Sequence, residues 1–101
     1  MEILKTAQAG TLESSDVTVT VSPGQNGLEI TIDSPVLALY EDQIIKTVRE
    51  AAGLCRVENA CISLKDRGAI DCVIKARTIA AICRAAGTSY DWTNENRAVE
   101  A

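Results

Sequence analysis

Two neighbouring hydroxyls, Ser14 and Ser15, stand between two acids in the segment Ala9-Gly10-Thr11-Leu12-Glu13-Ser14-Ser15-Asp16. A serine oxygen can accept a transferred group. Glycine, serine and aspartate favour turns, because they relax the backbone or hydrogen-bond to it locally. The pair therefore belongs on an accessible connection, where a modifying enzyme or a partner reaches it. Spacing alone gives no reaction class, since an ordinary turn has the same composition. The chain has no histidine. That removes Ser-His-Asp and Cys-His catalysis, and every zinc site that needs an imidazole. No convergent catalytic set is visible, and no residue is assigned a catalytic role.

The remaining nucleophiles are Cys55, Cys61, Cys72 and Cys83. None forms a C-x-x-C pair, so neither a four-cysteine zinc site nor a thioredoxin-type motif is supported. Cys72 and Cys83 fall in one expected helix, about 16 Å apart along its axis and beyond disulfide reach. The four read as small buried hydrophobes in a reducing compartment, with no metal bound.

Several elements have to position these groups. Met1–Gln8 mixes apolar and polar residues and is a candidate edge strand. Val17–Val21 alternates strictly as Val-Thr-Val-Thr-Val, the pattern of a half-buried strand. Leu28–Asp33 alternates again after a connection holding both Pro-Gly and Asn-Gly, which are strong turn signals. The two segments are expected to form an antiparallel hairpin, with Val17, Val19, Val21 and Leu28, Ile30, Ile32 facing the core. Ser34-Pro35 has the form of a helix start, serine at the cap and proline at the first helical position. Ile44, Ile45, Val48 and Ala52 then share one stripe of a helix clearest over Glu41–Ala52, with Lys46, Arg49 and Glu50 facing water and Gly53 ending it. Cys61–Lys65 reads as a third strand, parallel to the second across the helix. Asp66-Arg67-Gly68 is a turn. A longer helix follows from about Ala69 to Ala86, with Ile70, Val73, Ile74 and Ile82 apolar and Lys75, Arg77 and Arg84 forming a basic face. That face is either simply solvated or meets phosphate groups or an acidic partner. Residues 88–101 are polar and without periodicity and read as a mobile tail. Trp92 within it either docks on its own domain or anchors a partner.

The fold class is thus a small α+β domain: a mixed three- to four-stranded sheet with two helices packed on one face. One domain is what 101 residues allow. With two tyrosines, one tryptophan and no phenylalanine, the core must be aliphatic. A formal charge of −4 offers no basic stripe for nucleic acid. No run of about 18 apolar residues could span a bilayer, and no signal-peptide pattern opens the chain. A cytoplasmic location is expected.

The octet AGTLESSD, followed by VTVTV, resembles the N-terminal signature of the citrate lyase acyl carrier proteins, the gamma subunits of that complex. Asp66-Arg67-Gly68-Ala69-Ile70-Asp71, with Lys75, Ala76 and Arg77 after it, matches a second stretch of the family. Arg67 stands where the family usually has lysine, which keeps the charge. The resemblance implies an acyl carrier domain over residues 1–87 and a tail over 88–101. It implies that Ser14 carries a covalently attached phosphoribosyl-dephospho-coenzyme A arm, presented by Gly10, Thr11, Leu12 and Glu13. Ser15 is an adjacent alternative, and Asp16 has no assigned role. Implied partners are the citrate lyase alpha (transferase) and beta (lyase) subunits and a prosthetic-group transferase, between which acetyl and citryl thioesters are shuttled. Asp33-Ser34 is superficially similar to the Asp-Ser-Leu site of four-helix carriers, but proline replaces the leucine and strands precede it. The malonate decarboxylase carrier and an unmodified α+β adaptor are the alternatives.

Overall fold

The computed structural model describes residues 2–34, 37–91 and 97–100. Four strands, β1 (Ala7–Gly10), β2 (Val17–Pro23), β3 (Leu28–Asp33) and β4 (Ala60–Asp66), form one mixed sheet. Helices α1 (Leu37–Leu54) and α2 (Asp71–Ala86) cover one of its faces. The strict alternation of β2 turns Val17, Val19 and Val21 toward the helices, where all three are fully buried. Ala60, Ile62 and Leu64 of β4 do the same. They meet Ile44, Val48, Ala51 and Ala52 of α1 and Ile74, Ile79, Ala81, Ile82 and Ala85 of α2. Each large aliphatic side chain taken out of water there contributes about 1.5–3 kcal/mol. Thr47 and Thr78 are buried without cost to hydrogen bonding, because their hydroxyls donate to the carbonyls of Gln43 and Ile74 one turn earlier.

The strand order is β1-β2-β4-β3, which corrects the expected hairpin. β2 pairs antiparallel with β4, and β3 pairs parallel with β4, so β4 lies between the two alternating strands. The parallel relation of β3 and β4 across α1 is as expected; the direct pairing of β2 with β3 is not. Residues 24–27 cross the start of β4 instead of closing a tight turn. Gly24 passes so near that a Cβ there would lie 2.9 Å from the Ala60 carbonyl carbon. Gly27 receives the Ala60 N–H at its carbonyl (3.1 Å) and gives its own N–H to Asn59 Oδ1 (2.9 Å). Two adjacent turn signals thus build one wide connection across two strand spacings, about 10 Å. Placing β4 centrally buries its apolar side fully. It leaves Leu28, Ile30 and Ile32 half-buried on the edge strand β3. The hairpin of this sheet is β1–β2, with Ala7 opposite Val21 and Gly10 opposite Thr18.

Gly53 does not end α1. The helix runs on to Leu54 and closes at Arg56, a non-glycine residue in the left-handed region (φ 56°). The Val57 N–H reaches the Ala52 carbonyl (2.9 Å) and the Arg56 N–H reaches Gly53 (3.1 Å), the double closure of a Schellman end. Burial of Val57 accompanies it and offsets the strain at Arg56. α2 ends as expected at Gly87 (φ 72°), whose N–H returns to Cys83. Ser34, expected as a helix cap, donates its hydroxyl to Asp66 Oδ2 at 2.8 Å; Pro35 lies outside the described residues. Where the sequence showed no regular structure after Gly87, β5 (Thr88–Asp91) and β6 (Arg97–Glu100) pair antiparallel. Neither Thr-Ser-Tyr-Asp nor Arg-Ala-Val-Glu alternates apolar with polar residues, so no period marked them. Trp92 lies outside the described residues.

Candidate functional site

Both stretches singled out in the sequence meet at one end of the sheet. β2 and β4 are antiparallel, with Val17 opposite Asp66, so the residues before β2 and after β4 emerge side by side. The pairing extends past the strands. The Arg67 N–H donates to the Asp16 carbonyl (2.9 Å), and the Ser15 N–H donates to the Arg67 carbonyl (2.8 Å). The Thr11–Asp16 loop is thereby fixed to the turn that leads into α2.

Gly10, at the end of β1, begins the loop at φ 95°. A Cβ there would overlap the Val17 carbonyl oxygen, so only glycine lets the two strands approach. Thr11 turns its hydroxyl inward: Oγ1 donates to Asp16 Oδ2 at 2.7 Å and accepts the Glu13 N–H at 3.2 Å. The Asp16 N–H returns to the Glu13 carbonyl (3.2 Å), closing a four-residue turn with Ser14 and Ser15 at its two central positions. Ser15 takes the left-handed conformation (φ 65°), which costs about 1 kcal/mol for a residue with a Cβ and is held by its bond to Arg67. Ser14 occupies the outer corner, exposed, and among the described residues its hydroxyl has no hydrogen-bond partner. Leu12 and Glu13 are exposed beside it.

Asp16 is the anchor of the loop. Its Oδ1 accepts the Val17 N–H (2.8 Å) and Arg77 Nε (3.2 Å); its Oδ2 accepts Thr11 Oγ1 and an Arg77 terminal nitrogen (3.1 Å). The Thr11 hydroxyl, the Val17 amide and the Arg77 guanidinium together hold the carboxyl down at about 2, well below the usual carboxylate range. A carboxylate so engaged and so weakly basic does not serve as a general base for Ser14. Asp66 plays the matching part on the other strand. It is buried, with Oδ1 accepting the Gly68 and Ala69 N–H groups (3.1 and 2.9 Å) and Oδ2 accepting Ser34.

Two cations of the basic α2 face are therefore engaged within the chain: Arg77 with Asp16, and Arg84 with the Gln8 carbonyl at 2.7 Å. Both bind the helix to the β1–β2 hairpin. Sequence reasoning left Asp16 without a role and did not connect it to Arg77. The available signal was an acid closing the octet and an arginine in the family-like helix, but nothing in spacing brings residues 61 apart together. Ile70, assigned to the apolar face of α2, instead stands at the helix N-cap, 66% exposed.

The cysteines are spread through the molecule. Cys55 and Cys83 are buried, Cys61 is half-buried and Cys72 is exposed. A thiol–thiol hydrogen bond raises Cys55, with burial adding to the shift, and brings Cys83 down to about 7, with help from Thr88. Cys61 donates to Glu29 Oε2 (3.4 Å), and the carboxylate pushes its thiol up. Among the described residues, no helix is long and apolar enough to cross a membrane.

The β1–β2 loop thus presents two exposed serines on a turn held from within, and the Asp16 carboxylate that closes it is committed to Thr11, Val17 and Arg77. Residues 4–85 match the family model described as malonate decarboxylase delta subunit (MdcD), an acyl carrier family. The citrate lyase acyl carrier protein of Lactobacillus helveticus is 51% identical over 87% of this chain and 91% of the relative. That of Leuconostoc mesenteroides subsp. cremoris is 52% identical over 84% and 88%. In fold, the chain is similar to one in a Pseudomonas malonate decarboxylase hetero-tetramer (TM-score 0.61, 20% identity, 84% of this chain and 88% of that one). The chain belongs to the family of citrate lyase acyl carrier proteins.

Proposed function

We propose that this chain is the acyl carrier subunit of a citrate lyase, with Ser14 as the attachment point of a phosphoribosyl-dephospho-coenzyme A arm. The observation that carries the reading is the exposed, unbonded Ser14 hydroxyl at the outer corner of a turn that Thr11, Asp16 and Arg77 fix from within. Ser15 is a poorer acceptor by position, because its backbone is committed to Arg67 and held in the left-handed region. The fit to a phosphodiester is good: the hydroxyl is free, the corner is open on the solvent side, and no carboxylate is bonded to it.

When bound, the group supplies a thiol that bears acetyl and citryl thioesters. The chain's residues hold the attachment point still. Gly10 allows the close strand pairing, Thr11 and Asp16 fix the loop from inside, and Arg77 and Arg67 tie it to α2 and to the β4–α2 turn. A tether fixed at one end raises the effective concentration of its thioester at successive active sites without new contacts. The carrier performs neither reaction. The alpha (transferase) and beta (lyase) subunits do, and a prosthetic-group transferase activates the otherwise ordinary Ser14 hydroxyl. The reading places the complex in the cytoplasm.

A second reading, the malonate decarboxylase carrier, is favoured by the description of the matching family and by the fold of the Pseudomonas chain. Co-expression with each set of modifying enzymes, then intact mass and peptide mapping, separates the two. The citrate lyase set should add one arm, on the Ser14 peptide. Addition by the malonate decarboxylase set alone would favour the second reading, and addition by neither would remove both.

A further inference from the structure

A cavity of about 630 Å³ opens between α1 and the start of α2, a volume in the range of small-molecule pockets. Ile44, Ile70 and Ile74 form its apolar walls, Gln43 and Asp71 its polar side, and Cys72 stands on its lining. Ile70 is 66% exposed at the rim, a large aliphatic side chain at a helix cap where a polar residue would ordinarily bond the free N–H groups. Asp66 and Gly68, also on the lining, flank Arg67, whose carbonyl receives the Ser15 N–H. The attachment turn is therefore bonded to the residue that lies between two lining residues of the cavity.

Charge restricts what the cavity takes. Asp71 Oδ2 accepts Gln43 Nε2 at 2.9 Å, so that carboxylate lies within the polar side. Asp66 is a second acid at the base. Together they disfavour a phosphate or any carboxylate-bearing group, whereas neutral amides and a thiol or thioester meet apolar walls and a polar amide side chain.

We propose that this cavity is the resting site of the neutral, amide-bearing thiol end of the arm carried by Ser14, whose phosphates stay outside. The inference rests on the attachment reading above. Covalent attachment makes the contact intramolecular, so a weak apolar interaction suffices to populate it. Docking shields the thioester between encounters, and release from the cavity then precedes delivery.

The test uses full-length protein with isoleucine methyl labels, unloaded and loaded, with loading first verified by intact mass. Loading should shift the methyl resonances of Ile44, Ile70 and Ile74 and leave those of Ile30 and Ile32 on β3 unchanged. A second measurement uses Cys72 as a trap. Diamide takes two electrons and two protons from the arm thiol and the Cys72 thiol, is itself reduced to the hydrazine, and leaves one disulfide. Peptide mapping should join the Ser14 peptide to the Cys72 peptide within one chain. In Ile70→Glu, which alters an exposed position, loading should be unchanged while the cross-link yield falls about tenfold, because a charge replaces the apolar contact. Absence of any loading would overturn the attachment reading and this inference with it. Loading without the three methyl shifts, or cross-linking to Cys61 as readily as to Cys72, would overturn this inference alone.

Discussion

The β1–β2 and β2–β3 connections begin from similar chemistry and end differently. Both hold glycines at positive φ, at Gly10 and Gly27. In the first, side chains do the fixing: Thr11, Asp16 and Arg77 converge, and the corner residue Ser14 is left bare. In the second, backbone and the single Asn59 side chain do it, and the connection serves to carry the chain over β4. The loop with the weaker turn signals is the one with the denser polar network. A loop that presents a group has to be rigid and open at once, and side-chain anchoring from within achieves both. A loop that only spans a distance needs neither.

The largest contrast between them is expected at Ser14. Replacement by alanine removes the hydroxyl assigned to attachment and leaves only that of Ser15, whose backbone is tied to Arg67, so loading should be lost completely by intact mass. Stability should stay within about 0.5 kcal/mol, as for exposed positions generally. Ser15→Ala should still load. A loaded Ser14→Ala would break the assignment.

The two glycines sharpen the comparison. Gly10→Ala forces a Cβ into the Val17 carbonyl and should cost about 3–5 kcal/mol in denaturant unfolding. At Gly27 a Cβ meets nothing within 4 Å, so alanine faces only the φ of 81° and should cost about 1–2 kcal/mol. Equal costs would show that Gly10 is not held by its neighbour. Asn59→Ala removes one side-chain acceptor from the spanning loop and should cost about 1 kcal/mol with loading unaffected.

The smallest effect is a pH dependence confined to the presenting loop. The Asp16 carboxyl is held below its ordinary value, so its contribution to stability is complete above the normal carboxylate range. It is lost as pH falls from about 4 toward about 2. Asp16→Asn should be slightly less stable at neutral pH, with its unfolding curve converging on that of the unaltered protein near pH 2. Amide exchange at Ser15 should quicken in the variant. Unchanged exchange would mean that Asp16 does not hold the turn.

Residue pattern by itself determined a good deal. The alternation of Val17–Val21 and Leu28–Ile32, the stripe Ile44–Val48–Ala52 and the glycine after Ala86 specify two strands, two helices and an aliphatic core, because each depends on local periodicity. The octet placed Ser14 on an accessible turn for the same reason. Tertiary structure decided the rest. The insertion of β4 between β2 and β3 depends on which strand gains most from two neighbours, a property of the whole sheet. That insertion sets Val17 opposite Asp66 and so brings Ser15 to Arg67. The Asp16–Arg77 pair, the buried thiol contact of Cys55 with Cys83, and the cavity beside Ile70 all join residues far apart in the chain. Hydrogen bonds, ion pairs and voids of that kind are made by packing, and no spacing rule carries them.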